Sequence, residues 1–360
     1  MSYKLVSILA AVVGTAGLAA CSAPAPTPVD DASASASTTA EASSAANGSE
    51  SSEHGEATVA NNEPRKVMSC TQELTVEKSP QRVITMGDDA MAFLWEMGIH
   101  DRVVGMGKAL ATEVYEPEVL EALKDVPIIE GQKNPGGGST LSTESILALN
   151  PDLVIGYDTG ADREALTKAG VLFYSPDAWC PDETGSDAVE LPTANFDLVK
   201  TEARKYGKLF MMEDKAEEII AQLDGKIEEV KKASPQDRGT GMAIYIDEGD
   251  EQFWAYGKAS MVQPQFEAVG LKNVYADRKE RLIEGMSMES VLDQNPETIV
   301  LLYGSGTAEG AKNTFMGING ASNLDAVKNN KLFTMPFRFT DPPSPNSIRG
   351  VEKLAETLGQ

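Results

Sequence analysis

One unit of helix, stop and strand occurs twice in this chain, and that repetition constrains the fold more than any other feature of the sequence. Ser142-Thr-Glu-Ser-Ile-Leu-Ala-Leu-Asn-Pro-Asp-Leu-Val-Ile155 returns as Ser287-Met-Glu-Ser-Val-Leu-Asp-Gln-Asn-Pro-Glu-Thr-Ile-Val300. Both copies place a glutamate, an apolar helix face, Asn-Pro as the stop and an apolar strand. A looser echo sets Trp95-Glu-Met-Gly-Ile-His-Asp-Arg-Val103 beside Glu267-Ala-Val-Gly-Leu-Lys-Asn-Val274. Two echoes in the same order describe two related halves.

Strands alternating with helices predict an α/β class, with mostly parallel sheets covered by helices. Arg82 to Gly87 reads as a strand ending at a glycine turn, Met91 to Met97 as helical, Arg102 to Gly105 as a short strand, Thr143 to Leu149 as a helix, and Asp152 to Tyr157 as a buried strand. Between the halves, Met212 to Ala233 is rich in Ala, Glu, Lys, Ile and Leu, with Asp214 as the expected N-cap and Ser234-Pro235 as the stop. A helix of that length reaches ~30 Å. It joins two lobes singly and restricts them to small relative movements. The expected organisation is a signal peptide over 1–20, a tether over 21–64, a first lobe over 65–211, a linking helix over 212–234, and a second lobe over 235–360 with a final helix.

Lys4 precedes an apolar run from Leu5 to Ala20, shorter than the ~20 residues of a membrane span. The run closes on Leu18-Ala19-Ala20-Cys21, which resembles the bacterial lipobox, so Cys21 is expected to carry the lipid. From Ser22 to about Pro64 the chain is Ala, Ser, Thr, Pro and Glu, too poor in large apolar residues to form a core. The localisation that follows is lipid-anchored, on the outer face of the cell membrane. With Cys21 lipidated, Cys70 and Cys180 are left as an even pair in an oxidising compartment and are predicted to form a disulfide.

A net charge of -24, from 55 acidic against 31 basic residues, repels phosphate backbones and anionic lipid surfaces. Nucleic acid is excluded as a partner, and the lipid anchor is the only membrane contact expected. Histidine is scarce: only His54 and His100 occur. A His-rich zinc or manganese site and a Ser-His-Asp hydrolase are both disfavoured, and no catalytic residues, protein-held metal or resident cofactor are expected. Haem on a histidine is disfavoured too, although a tyrosinate such as Tyr157 or Tyr245 leaves haem open. Gly136-Gly-Gly-Ser139 lacks the Lys-Ser/Thr of a phosphate loop.

Over Pro80 to Gln360 the chain resembles the iron-siderophore and vitamin-B12 class of ABC solute-binding proteins. The residues that carry the resemblance are Pro80-Gln-Arg-Val-Ile, Leu94 to Gly105, Glu144 followed by Leu149-Asn-Pro-Asp-Leu-Val-Ile, Phe266 to Val274 and Leu324 to Phe333. It implies two α/β lobes bridged by one long helix, a monomer, a small-molecule ligand in the cleft and delivery to ABC permease subunits. It also implies that Glu144 and Glu289, matching positions in the two repeats, dock against the permease. The expected cargo is a ferric siderophore whose own oxygens hold the iron. Haem or cobalamin capture is the alternative, followed by a cell-wall adaptor on the same fold.

Ligands of open α/β sheets gather at strand ends. Those positions are Asp88, Lys108, Tyr157 and Trp179 in the first lobe, and Tyr245, Phe253, Trp254, Tyr256, Arg278, Arg281, Tyr303 and Arg338 in the second. Aromatic faces cover the apolar rim of such a ligand, and Arg or Lys donates to its oxygens. Arg281 is the leading candidate, because catecholate binders of the resembling family carry an arginine at about that place.

Overall fold

Continuous apolar strands, buried on both faces, build two separate sheets in the computed structural model, which describes residues 63–133, 139–180 and 193–359. The first sheet is parallel and has four strands, in the order Val103–Met106, Val83–Thr85, Leu153–Ile155, Leu172–Tyr174. In the second sheet Thr298–Tyr303 is central, flanked by parallel Leu332–Pro336 and Thr240–Tyr245. Trp254–Tyr256 and Leu282–Ile283 extend it antiparallel, and Lys272–Asn273 pairs on Thr240–Tyr245. Every residue of Val83–Thr85, Leu153–Ile155 and Thr298–Tyr303 is buried, as strands covered by helices on both faces require.

The repeated units are superposable in their local chemistry. Ser142 caps the Thr143–Leu147 helix, its Oγ accepting the Ser145 N–H at 3.0 Å, and Ser287 caps Met288–Gln294 through the Ser290 N–H at 3.2 Å. Each unit then ends on a left-handed asparagine, Asn150 at φ 48° and Asn295 at φ 37°. Proline denies the preceding residue the right-handed helical region, and asparagine enters the left-handed one at the lowest cost after glycine. The looser echo behaves likewise: Gly98 and Gly270 close their helices at φ 73° and 81°.

Glu213–Ala233 is the helix between the lobes, and Ser234-Pro235 follows it. Its N-cap differs from the sequence expectation. Met212 occupies that position without a side-chain bond, and Asp214 falls within the first turn, where its charge faces the positive helix end. Ile219, Leu223 and Ile227 pack into one continuous core with Tyr206 and Phe210 of the Asp197–Phe210 helix and Ile348 and Leu354 of the final helix, Pro345–Thr357. The linking helix is therefore wedged between neighbours on both sides, which limits how far the lobes can move.

Cys70 and Cys180 are bonded, with Cα atoms 5.3 Å apart. The bond ties the turn of the Arg65–Ser69 and Gln72–Val76 hairpin to the segment after Leu172–Tyr174. The expected signal peptide, Cys21 and the expected tether as far as residue 62 lie outside the described residues, as does Gly136 to Gly138. No described helix is long and apolar enough to cross a membrane.

Candidate ligand cleft

The strand Val83–Thr85 delivers the chain through Gly87 to the helix Asp88–Glu96. A side chain at Gly87 would put its Cβ 2.4 Å from Asp89 Oδ1, so glycine is what lets the turn bring that carboxylate in. Asp88 and Asp89 are 2% and 6% exposed. Burial drives both carboxyl groups above their ordinary range, and the charges of Arg338 and Lys108 oppose this at Asp88. The Trp179 indole N–H donates to Asp89 Oδ2 at 2.9 Å, and Tyr157 meets the Trp179 ring edge-on at 4.3 Å. Lys108 has an exposed surface, yet desolvation by the surrounding protein and the Arg338 charge hold its ammonium below the ordinary lysine value.

The second lobe answers with Arg338, whose Nε stands 2.7 Å from Asp88 Oδ2. Its turn, Phe337–Phe339, is pinned from behind: Gln265 Nε2 donates to Phe339 O and Ser347 O, both at 2.7 Å. Gly350 lets the final helix approach that turn, since a Cβ there would sit 1.8 Å from Phe339 O. Arg281 Nε lies 3.5 Å from Asp341 Oδ2, and Asp341 is 1% exposed. Behind them, Tyr245 packs edge-on to Trp254 and Phe337, and Tyr256 stacks on Phe337. The narrow crevice between the lobes is lined by Asp88, Asp89, Arg338, Asp341, Pro342, Ser344 and Asn346.

Further polar bridges cross from lobe to lobe. Tyr303 Oη donates to Glu113 Oε2 at 2.8 Å, Asn346 Nδ2 donates to Tyr115 Oη at 3.1 Å, and Arg349 pairs with Glu96 at 2.7 Å. Tyr115 in turn donates to the backbone carbonyl of Asp88.

Of the sequence candidates, Asp88 and Arg338 line this crevice, Trp179 and Arg281 meet it through Asp89 and Asp341, Tyr157 packs on Trp179, Lys108 lies in the field of Asp88 and Arg338, and Tyr245, Trp254 and Tyr256 cluster with Phe337 behind Arg338. Other candidates fall elsewhere. Phe253 is 5% exposed and sits edge-on to Phe315 in the core on the opposite face of its sheet. Arg278 is exposed and chelated by Glu280, Nη2 to Oε1 at 2.8 Å. Tyr303 is buried, and its hydroxyl serves the bridge to Glu113. Arg281 is not a free donor; a buried carboxylate already engages it. Both tyrosines considered for haem, Tyr157 and Tyr245, are held above the ordinary phenol value by burial, which opposes a tyrosinate. Asp89, Asp341, Asn346 and Phe337 were absent from the sequence candidates, although the Asp-Asp doublet after Gly87 was a visible signal for the first.

The description "periplasmic binding protein" fits residues 83–339, nearly the whole two-lobed body. The chain belongs to that family. A crystal structure described as an ABC-type Fe3+-hydroxamate transport system from Saccharomonospora viridis is 32% identical, covers 82% of this chain and 99% of its own, and superposes with a TM-score of 0.72. An uncharacterized ABC transporter substrate-binding lipoprotein of Bacillus subtilis is 22% identical across 80% of this chain and 82% of its own length. A cobalamin-binding protein of Halobacterium salinarum is 21% identical across 79% of this chain and 71% of its own. As a periplasmic binding protein, the chain is built around the cleft between its lobes.

Proposed function

We propose that this chain captures a ferric siderophore outside the cell membrane and delivers it to the permease of an ABC importer, without catalysis and as a monomer anchored through lipid on Cys21. The observation that carries the reading is the convergence, from both lobes onto one crevice, of Trp179 and Tyr157 with Arg338, Arg281, Asp88 and Asp89. Rings cover an apolar ligand body and ionic groups orient its polar core, while the siderophore supplies the iron's ligands. The likeness to the Saccharomonospora viridis protein favours siderophore over haem or cobalamin.

Trp179 and Trp254 report occupancy. Their emission should be quenched by a ferric siderophore at nanomolar concentration in the full chain. No quenching by ferric hydroxamates or ferric catecholates, together with a Soret shift with haemin or binding of cyanocobalamin, would overturn the assignment.

Delivery rests on the repeated helices. Glu144 and Glu289 hold the second position of their helices, each two residues after its serine cap, and both are exposed. Neither carboxylate has an ion-pair partner among the described residues. Such rim charges govern encounter with a basic partner and its salt dependence. The double variant Glu144→Ala with Glu289→Ala should keep ligand affinity and surface abundance while losing most uptake. Uptake at the parental rate would remove the pair from docking.

A further inference from the structure

Resting on the ferric-siderophore reading, we infer that this cleft selects complexes of zero or positive net charge, of the trihydroxamate type, and rejects trianionic tris-catecholates, with Asp88 and Asp89 setting the preference. Both arginines at the crevice already answer a carboxylate, and Lys108 lies in the field of two. Arg338 stands 2.7 Å from Asp88, Arg281 stands 3.5 Å from Asp341, and Lys108 lies in the field of Asp88 and Asp247. Among the described residues Asp89 has no ion-pair partner, and it takes the Trp179 indole N–H. Four carboxylates therefore face three cations, and no positive surplus awaits an anion. Even with Asp88 and Asp89 both protonated, the surplus is a single charge.

A second observation points the same way. Asp88 lines the crevice and is 2% exposed, yet its Oδ1 receives no hydrogen bond, and Arg338 meets Oδ2 charge to charge without hydrogen-bond alignment. An orphaned buried acceptor in the lining of a binding crevice calls for a donor on the ligand. Three hydroxamates, each a monoanion, cancel the charge of Fe3+, and their linkers bring amide or ammonium donors. Three catecholates are dianions and leave three negative charges on the oxygens around the metal. Placed against Asp88 and Asp89 in a water-poor crevice, those charges repel. Swinging Arg338 onto such a ligand gives no relief, because it strands Asp88 as a buried charge without its partner.

Titration of the full chain with ferrichrome as the neutral trihydroxamate and ferric enterobactin as the trianionic tris-catecholate tests this, with haemin and cyanocobalamin alongside. Ferrichrome should bind tighter by roughly a hundredfold or more, since like charges brought together cost several kcal/mol. The double variant Asp88→Asn with Asp89→Asn should narrow that gap by about tenfold through a gain for the catecholate. Its fold is checked by melting, and Asp89→Asn alone, which leaves the Arg338 pair in place, gives the same direction if the double variant does not fold. Enterobactin bound as tightly as ferrichrome, or a gap untouched by the substitutions, overturns the charge rule and leaves siderophore capture standing. Silence from both siderophores overturns the two together, whether or not haemin or cyanocobalamin binds.

Discussion

Loss of the Cys70–Cys180 bond should cost this protein as much as about 4.7 kcal/mol of unfolding free energy, the loop-entropy figure for a closed loop on the order of 100 residues; the loop here spans 110. The bond also has local work. Cys180 follows Trp179, and Cys70 follows Ser69, whose Oγ accepts the Ser175 N–H at 2.8 Å and the Arg163 guanidinium at 3.2 Å. Hairpin, strand end and indole are thereby held as one unit beside Asp89. The Cys70→Ser/Cys180→Ser variant should unfold at clearly lower urea, with a steeper slope because the unfolded chain without its cross-link exposes more surface, and should bind ligand more weakly because Trp179 is less well positioned. Equal midpoints for variant and parent would mean that Ser69 and Arg163 suffice, and that the bond adds nothing to the folded state.

Much of the architecture was legible because it is written in short-range chemistry. Serine caps, Asn-Pro stops and fully apolar strands are local signals, and each half of the chain states them independently. The cleft was legible only as a set of strand ends. Trp254 and Phe253 are neighbours on one segment and point to opposite faces, so only the pairing partner decides which one meets the cleft. Arg278 and Arg281 stand in a single charged run. Arg281, just before the Leu282–Ile283 strand, turns to Asp341 and lies in the field of Tyr256, while Glu280 captures Arg278 outside. Asp341 reaches Arg281, and Trp179 reaches Asp89, across separations that no periodicity encodes. The cap of the linking helix differs for another reason: Met212, packed on the core, stands at its start and leaves Asp214 in the first turn to act through its charge.

Glu202 should give the protein a pH-dependent stability that runs against the usual carboxylate trend. It is 4% exposed on the Asp197–Phe210 helix, accepts the Tyr174 hydroxyl, and takes the Asp177 N–H at 3.3 Å. Burial pushes its carboxyl up from 4.5 to about 7, with the Tyr174 bond and Lys205 opposing. Between those values the folded protein holds a proton that the unfolded chain has released. Stability from this group is therefore fully present below about pH 4.5 and is lost as pH rises through about 7. A shift of that size is worth roughly 3 kcal/mol at ~1.4 kcal/mol per unit. Asp88 and Asp89 are raised by burial too and act in the same direction, so the contribution of Glu202 has to be read as a difference. Glu202→Gln keeps a neutral side chain of the same shape at every pH. Urea unfolding of parent and variant from pH 4.5 to 8 should show the parent losing stability relative to the variant by roughly 3 kcal/mol, most of it before pH 7.5. Parallel curves would mean that Glu202 is ionised in the folded state. The consequence for binding follows from place: Glu202 accepts the Asp177 N–H and the Tyr174 hydroxyl, bonds that ionisation strengthens, so the Asp177–Trp179 turn stays held beside Asp89 as pH rises, and ligand affinity should change with pH alike in parent and variant.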